Sequence, residues 1–272
     1  MKVAIAGASG LIGTALTKVL AERGDEVVRL PRFGTAPWSI AGADAAVNLA
    51  GASVAGKRWS AKYKKEILDS RVLTTRALVE LKPPVLINAS ATGYYGGRGD
   101  ELLEESAPPG SDFLAEVCKA WEAEAARAPS RFACLRTGIV LSAQGGALAQ
   151  MLPPFKAFVG GPIGDGKQWF PWIHIADEVA AIVACIDTDL AGPVNLVAPG
   201  IVTMGEFAKA LGRALHRPSA FHVPAAALRL LLGEVAEVLL EGQRAVPRKL
   251  FDAGFRFRST DVAAALADLF HA

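Results

Sequence analysis

Short, largely apolar runs alternate with longer stretches of helical periodicity through the first half of the chain. The runs fall at residues 3–6, 26–30, 45–49, 85–89 and 132–136, and the helical patterns at 11–23, 61–81 and 113–127. Strands that do not alternate apolar with polar positions are buried on both faces. Such strands in turn with helices predict a parallel sheet covered on both sides, an α/β fold. Residues 31–43 are short for a crossover helix and hold Gly34, Pro37 and Gly42, which predicts a loop there.

The first run passes directly into Gly7-Ala8-Ser9-Gly10-Leu11-Ile12-Gly13 and then into a helix marked by Leu16, Val19 and Leu20. Strand, glycine turn and helix in that order form a nucleotide-binding turn. Gly7 allows the tight reversal, Gly10 the approach of a pyrophosphate, and Gly13 the close packing of helix on strand. Free N–H groups and the helix dipole then favour an anion, which makes Gly7, Ser9, Gly10, Leu11, Ile12 and Gly13 candidate cofactor contacts. Glycines alone would suit any tight turn; the flanking strand and helix favour the nucleotide site. About twenty residues on, an NAD enzyme carries a carboxylate at the end of its second strand. Here that strand ends in Arg29-Leu30-Pro31-Arg32. A guanidinium there matches a 2′-phosphate in bidentate fashion, so the expected cofactor is NADP(H), held first by Arg32 and second by Arg29.

After Gly145-Gly146 the texture changes. Pro153-Pro154, Gly160-Gly161-Pro162 and Gly164-Asp165-Gly166 crowd a segment that leads to Gln168-Trp169-Phe170-Pro171-Trp172-Ile173-His174. Punctuation of this kind reads as loops facing a substrate. A helix is expected at 179–186, a strand at 194–197, and Thr203-x-x-Glu206 is a capping box for a helix reaching Leu215. The organisation predicted is a Rossmann-type, doubly wound parallel sheet at 1–150, with 174–198 returning to it. Residues 151–173 and 199–272 form a smaller, mainly helical substrate lobe.

Composition narrows the function classes. The 272 residues are 51% hydrophobic and 21% charged with a net charge of +2, which suits a folded chain with a large core. The basic residues are scattered, which argues against a nucleic-acid partner. The most apolar late stretch, 225–240, is broken by Arg229, Glu234 and Glu237, which argues against a membrane span. Cys118, Cys134 and Cys185 have no metal-ligand spacing. They imply reduced thiols in a cytoplasmic protein and no metal site. A small-molecule substrate is the expected partner, and a homodimer is allowed.

Three further stretches carry a family resemblance. Asn48-Leu49-Ala50-Gly51 resembles the Asn-x-Ala-Gly element beside adenine and ribose in short-chain dehydrogenases. Ser90-Ala91-Thr92-Gly93-Tyr94-Tyr95-Gly96 resembles the serine-rich active-site turn of extended members, and Ile173-His174-Ile175-Ala176-Asp177 the segment opening their late helix. Together with Arg58-Trp59, Lys65-Glu66-Ile67, Ser70-Arg71, Trp121-Glu122 and Leu240-Glu241-Gly242-Gln243, they make the chain similar to the atypical, epimerase-like branch of the short-chain dehydrogenases/reductases, the short-chain dehydrogenase 39U1-like subfamily. The resemblance runs from Lys2 to Leu269. It implies NADP contacts at Pro31, Arg32, Leu49, Ala50, Glu66, Arg71 and Val140, with Gly51 in the same element as Leu49 and Ala50.

That superfamily usually carries Tyr-x-x-x-Lys, the tyrosine moving a proton and the lysine lowering its pKa. Tyr63, Tyr94 and Tyr95 are the tyrosines here, and none has a lysine four residues on. Leu114 and Cys118 stand where the pair is expected, and Lys119 would point about 100° away on a helix. Replacement donors are Ser90, Thr92, Tyr94, Tyr95, Lys119 and His174, with Ser90 and Tyr95 the leading pair. Tyr94, Gln168, Trp169, Trp172 and His174 are the candidate substrate contacts. Two functions stay open: an NADP(H)-dependent oxidoreductase or epimerase-like enzyme acting on a small carbonyl or polar metabolite, and a catalytically silent NADP(H)-binding sensor.

Losing a charge-assisted hydrogen bond costs roughly 1.5–3 kcal/mol, so Arg32→Glu is expected to weaken NADPH binding by about one to two orders of magnitude. Calorimetry with NADPH and NADH checks this, and unchanged NADPH affinity removes Arg32 from the site.

Overall fold

In the computed structural model, which describes residues 1–271, the chain runs β1 (Lys2–Ala6), α1 (Leu11–Glu22), β2 (Glu26–Arg29), β3 (Ala45–Asn48), α2 (Ala61–Glu80) and β4 (Val85–Ala91). A 3-10 turn over Thr92–Tyr95 leads to β5 (Leu102–Leu103), α3 (Phe113–Ala125), β6 (Arg131–Thr137), β7 (Ile139–Leu141) and α4 (Gly146–Lys156). Then come β8 (Trp169–Phe170), β9 (Trp172–His174), α5 (Ile175–Asp187), β10 (Gly192–Leu196), β11 (Val202–Thr203) and α6 (Met204–Ala214). The chain closes with α7 (Ala225–Leu232), α8 (Val235–Leu240), β12 (Arg244–Ala245), α9 (Arg248–Asp252) and α10 (Val262–His271).

Six strands hydrogen-bond in the order β10-β6-β4-β3-β1-β2, every pair parallel. From β1 the chain steps out to β2, then returns to build β3, β4, β6 and β10 on the other side. The order therefore reverses between β1 and β3, and a crevice at such a switch point is where open α/β sheets take ligands. Ala6 is level with Asn48, and Ala91 with Thr137, so the strands end together at one edge. Residues 31–43 carry no helix, as their glycines and proline predict.

Strand pleating divides the sheet's side chains between two cores. Val3, Ile5, Val47 and Leu135 pack with Leu16 and Leu20 of α1 and with Ile182 and Ile186 of α5. Ala4, Ala6, Ala46 and Leu86 pack on the opposite face with Leu78 of α2 and Ala125 of α3. Each fully buried Val, Leu or Ile contributes about 1.5–3 kcal/mol; on β1 and β3 these are Val3, Ile5 and Val47, the other buried apolar positions being alanines. Ser60 caps α2 by accepting from the Tyr63 amide, and Asp112 caps α3 through Ala115. Thr203 and Glu206 complete the capping box that starts α6.

A further core joins Leu148, Leu152 and Phe155 of α4 to Phe170, Trp172, Phe207, Leu211 and Leu266. Phe170 and Phe207 stack with centroids 4.0 Å apart. Packing thus straddles residue 150, with α4 facing the C-terminal helices. β7 pairs in parallel with β9, a short ribbon that the sequence pattern did not predict. Among the described residues no helix is long and apolar enough to cross a membrane.

A polar network of the interior centres on Arg136 of β6. Its guanidinium meets Glu122 through two hydrogen bonds of 2.9 Å, and donates as well to the Tyr95 hydroxyl and the Glu105 carbonyl at 3.0 Å. Breaking a buried pair by removing one partner leaves an uncompensated charge, so Arg136→Met is expected to cost about 3–5 kcal/mol. Urea unfolding measures it, and a loss under about 1 kcal/mol would contradict a structural role for the pair.

Candidate functional site

The glycine turn is built as the sequence requires. Gly7 has φ +81°, and a Cβ there would lie 2.7 Å from the Leu49 carbonyl carbon; one on Gly13 would lie 2.2 Å from the Gly7 oxygen. Gly10 differs. A Cβ on it meets nothing nearer than the Gly7 oxygen at 3.4 Å, so the chain itself leaves room for a side chain, and the glycine keeps space on the outside. Gly10 is also the N-cap of α1 and offers no side-chain cap, nor is there an acid in the first turn. The amides of Leu11, Ile12 and Gly13 thus begin a helix poised for an anion.

Beside the turn, Asn48 sits fully buried at the end of β3. Its amide donates to Thr75 Oγ1 and Asn88 Oδ1, and its oxygen accepts from the Ala50 amide at 3.2 Å. That fixes Leu49, Ala50 and Gly51 along the switch point. Arg71 of α2 reaches the same loop, its Nη1 donating to the carbonyls of Ala52 and Ile67 at 3.0 Å. Burial lowers its pKa, and the groups that act on its charge are a thiol and a phenol, Cys118 and Tyr63, with no carboxylate among them. A Cβ on Gly51 would come within 3.1 Å of its guanidinium carbon. The result is a half-buried cation with no carboxylate paired to it among the described residues, beside a cradle lacking a side chain.

At the end of β2 the loop is ordered by its own bonds, Trp38 donating to the Pro31 carbonyl at 2.8 Å and Thr35 to that of Arg32. Pro31 and Arg32 are exposed there, and Glu66 is exposed on α2. Pro31 and Arg32 thus follow the carboxyl end of β2, and the Leu49–Gly51 strip that of β3.

A cleft of about 570 Å³ opens at the carboxyl ends of β4 and β6. Ala91, Thr92, Gly93, Leu114, Thr137 and Val140 line it from the sheet side; Gln168, Trp169, Met204, Val238, Glu241 and Gln243 close it from the other. Gln168 donates to the carbonyls of Ile163 and Leu239, tying the loops to α8. The rim is acidic. Burial pushes the Glu241 carboxyl up, with Asp112 and Glu237 adding to the shift, whereas Glu237 is held by Arg229 at 2.7 Å.

Several expected site residues lie elsewhere, and for Ser90, Tyr94 and Tyr95 the reason is the Arg136 network. Tyr95 is fully buried; its hydroxyl donates to Asn195 Oδ1 at 2.6 Å and receives the Arg136 bond. Burial pushes the phenol up to about 12. Ser90, on the strand face opposite to cleft-lining Ala91, donates to Glu122 at 2.7 Å. Both leading donors are thus corrected to structural roles. Tyr94 lies under the Arg136 guanidinium, 3.5 Å from its ring centroid. Trp172 is core, its indole donating to the Gly200 carbonyl. His174 caps α5 by accepting from the Ala176 amide, and its Nε2 lies 3.4 Å from Asp268; burial lowers its pKa. These three leave the substrate set, which keeps Gln168 and Trp169.

Leu114 does line the cleft where a tyrosine was expected, and Lys119 turns outward to Glu116. Cys118 is buried with its thiol pushed up to about 12 by desolvation, which removes it as a nucleophile. Thr92, one of the expected replacement donors, does line the cleft, whereas Thr137, Gln243, Gly145 and Gly146 were missed. Gly146 adjoins the phosphate turn, since a Cβ on it would lie 2.9 Å from Leu11 Cδ2. Thr137 had a readable signal, the last residue of a parallel strand, where such sheets place their ligands.

The NAD dependent epimerase/dehydratase family matches residues 3–197, and a domain of unknown function, DUF1731, matches 223–269. The chain therefore belongs to the NAD dependent epimerase/dehydratase family. Among its relatives, epimerase family protein Mb2239 of Mycobacterium bovis is 41% identical over 97% of this chain and 96% of its own length. The chloroplastic SDR39U1 homolog of Arabidopsis thaliana is 39% identical, over 98% and 86%. The crystal structure of human epimerase family protein SDR39U1 (isoform 2) with NADPH superposes with a TM-score of 0.93 at 35% identity, covering 100% of this chain and 99% of that one. UDP-glucose 4-epimerase of Thermus thermophilus shares the fold at 18% identity, with a TM-score of 0.77.

Two outcomes follow. Gly10→Val is expected to leave the urea midpoint of the protein near wild type while weakening NADPH binding by about 100-fold or more, as a branched side chain fills pyrophosphate space. Wild-type affinity, or failure to fold, contradicts the division between turn and site. Tyr95→Phe leaves Asn195 and Arg136 short of a partner, so it is expected to cost about 1–3 kcal/mol in stability with NADPH affinity unchanged; a loss of affinity at unchanged stability places the hydroxyl at the ligand instead.

Proposed function

We propose that the chain binds NADP(H) along Gly7–Gly13, Arg32, Leu49–Gly51 and Arg71, and that it is an oxidoreductase or epimerase-like enzyme acting on a small carbonyl-bearing or polar metabolite. The observation that carries the reading is Arg71, a half-buried guanidinium without a carboxylate partner among the described residues, beside the switch point. A dinucleotide supplies the missing negative charge and hydroxyls. Arg32 suits the 2′-phosphate, Glu66 can accept from a ribose hydroxyl, and Val140 flanks the nicotinamide end, where the cofactor would bring a transferable hydride. The human relative crystallised with NADPH supports the choice of NADP(H) over NAD(H).

The lobe at 151–173 and 199–272 is assigned to the substrate, through Gln168 and Trp169. A cleft of this size with an apolar floor and a few polar groups suits a small ligand better than a flat partner surface. The compartment assigned is cytoplasmic, with buried, unpaired cysteines in accord; the chloroplastic plant relative shows that the family is not confined to it.

One observation favours a second reading, a silent NADP(H) sensor: Leu114 and Cys118 fill the expected catalytic places, and the Tyr95 hydroxyl is locked away. Calorimetry with NADPH and NADH, followed by NADPH oxidation across quinones, aldehydes, ketones and nucleotide sugars, separates the two. The enzyme reading expects NADPH preferred by at least about tenfold and oxidation by one class of carbonyl, with redox-neutral epimerisation followed by product analysis. Tight NADPH binding with no reaction of either kind selects the sensor, and absence of binding overturns both.

A further inference from the structure

The cleft lacks the tyrosine its family resemblance leads one to expect, yet a buried acid stands directly behind its wall. Thr137 ends β6, level with Ala91, and lines the cleft. Its Oγ1 lies 2.9 Å from Oε1 of Glu178. Glu178, in the first turn of α5, has no exposed surface, and its Oε2 has no hydrogen-bond partner among the described residues. Glu178 sits one and two turns before Ile182 and Cys185, which belong to the core with Leu16 and Leu20 of α1, and an acid on that face serves packing poorly.

We propose that Thr137 is the cleft's proton donor and that Glu178 is the positioning residue that reloads and orients it, a role that rests on the oxidoreductase reading above.

The surroundings decide the state of the acid. Asp177 turns away to accept from the amides of Arg258 and Ser259. His174 caps the helix, and Arg131 spends its guanidinium on the carbonyls of Cys185, Ile186 and Leu190. Arg136 faces Glu122. Cys185, two turns along α5, is a thiol that burial pushes up to about 12. Among the described residues no cation is therefore paired with Glu178, and desolvation pushes it up to about 8 against the opposing Thr137 bond. Burial without a paired cation favours the protonated acid at neutral pH.

Where the proton sits gives the pair a direction. On Oε2 it would be a buried donor with no acceptor, which costs the full desolvation of the group. On Oε1 it donates to Thr137 Oγ1, and the threonine hydrogen is then free to turn elsewhere. The Leu135 carbonyl, at 3.5 Å, is too far for a good O–H bond. The cleft is the remaining direction.

The reduced nicotinamide supplies a hydride; the chain supplies the proton. As a carbonyl carbon gains the hydride, its π pair moves to oxygen. That oxygen takes the Thr137 hydrogen, and Thr137 takes the proton of Glu178. Glu178 is left as a carboxylate and regains a proton from solvent, so one hydride and one proton are consumed per alcohol formed. The other hydroxyl on the wall, Thr92, donates to Gln243 at 3.3 Å and has no acid behind it.

The test uses Thr137→Val, Thr137→Ser and Glu178→Gln in the full chain, with 9,10-phenanthrenequinone as carbonyl probe. Turnover is expected to fall about 100-fold or more in Thr137→Val, the low end for a lost general acid, and to recover in Thr137→Ser. Wild-type turnover should decline as pH rises through about 8. Glu178→Gln should be slower and lose that limb, while NADPH affinity holds throughout. A readout free of activity is the infrared band of a protonated carboxyl at pH 7, absent in Glu178→Gln and shifted in Thr137→Val. Undiminished turnover in Thr137→Val, or a Glu178 ionised at pH 7, overturns the relay alone. An inert wild type that still shows the band overturns the oxidoreductase reading and the relay's role with it.

Discussion

The Cα of Gly13 packs so close to the Gly7 carbonyl that a single methyl would collide at 2.2 Å, and a methyl on Gly7 would in turn meet the Leu49 carbonyl at 2.7 Å and the Ala50 nitrogen at 2.8 Å. This backbone-on-backbone contact sets α1 against the ends of β1 and β3. The free amides, the switch-point crevice and the Asn48-anchored strip then face one another without any side chain between them. Enlarging either glycine would push the helix away from the strands, and the phosphate turn, the Arg71 cradle and the cleft beyond would lose their common geometry.

A second constraint decides which side chains can reach that crevice. β4 and β6 are pleated, so neighbours on one strand serve different sides. Ala91 and Thr137 line the cleft, whereas Ser90 and Arg136 turn to the other face and bind Glu122. The Arg136–Glu122 pair gathers Ser90 and Tyr95 into a buried polar cluster, with Asn195 and Glu105 completing it. Burial and saturation of these groups make them good struts and poor acids. What remains at the cleft is a sparse set, in which a hydroxyl and the acid behind it matter more than an isolated phenol would.

Much of the fold was legible because it rests on local pattern. Two-sided apolar runs at 3–6 and 45–49, and the glycine turn, announce buried parallel strands and a dinucleotide crossover, and the six-stranded sheet follows. The positions of the glycine turn and of the Leu49 strip were legible for the same reason, since Gly10 and Leu49 sit at a helix start and a strand end, whereas Arg71 lies midway along α2 and is pointed to only by the family resemblance. The catalytic half was not. Whether Tyr95 points to solvent or to Asn195 depends on β10, a hundred residues away, and whether Trp172 binds substrate or fills a core depends on packing against Phe207 and its neighbours. Glu178 reads in sequence as an ordinary first-turn acid favoured by the helix dipole; only its burial behind Thr137 gives it a different meaning.

The most direct measurement of the account is electron density for a co-crystal of this protein with NADPH. The account predicts the pyrophosphate on the amides at the start of α1, the 2′-phosphate at Arg32, ribose oxygens toward Arg71, and nicotinamide C4 facing the space beside Thr137. Density that places the dinucleotide outside the β1–β3 crevice, or turns the nicotinamide away from Thr137 toward the outer surface, contradicts it.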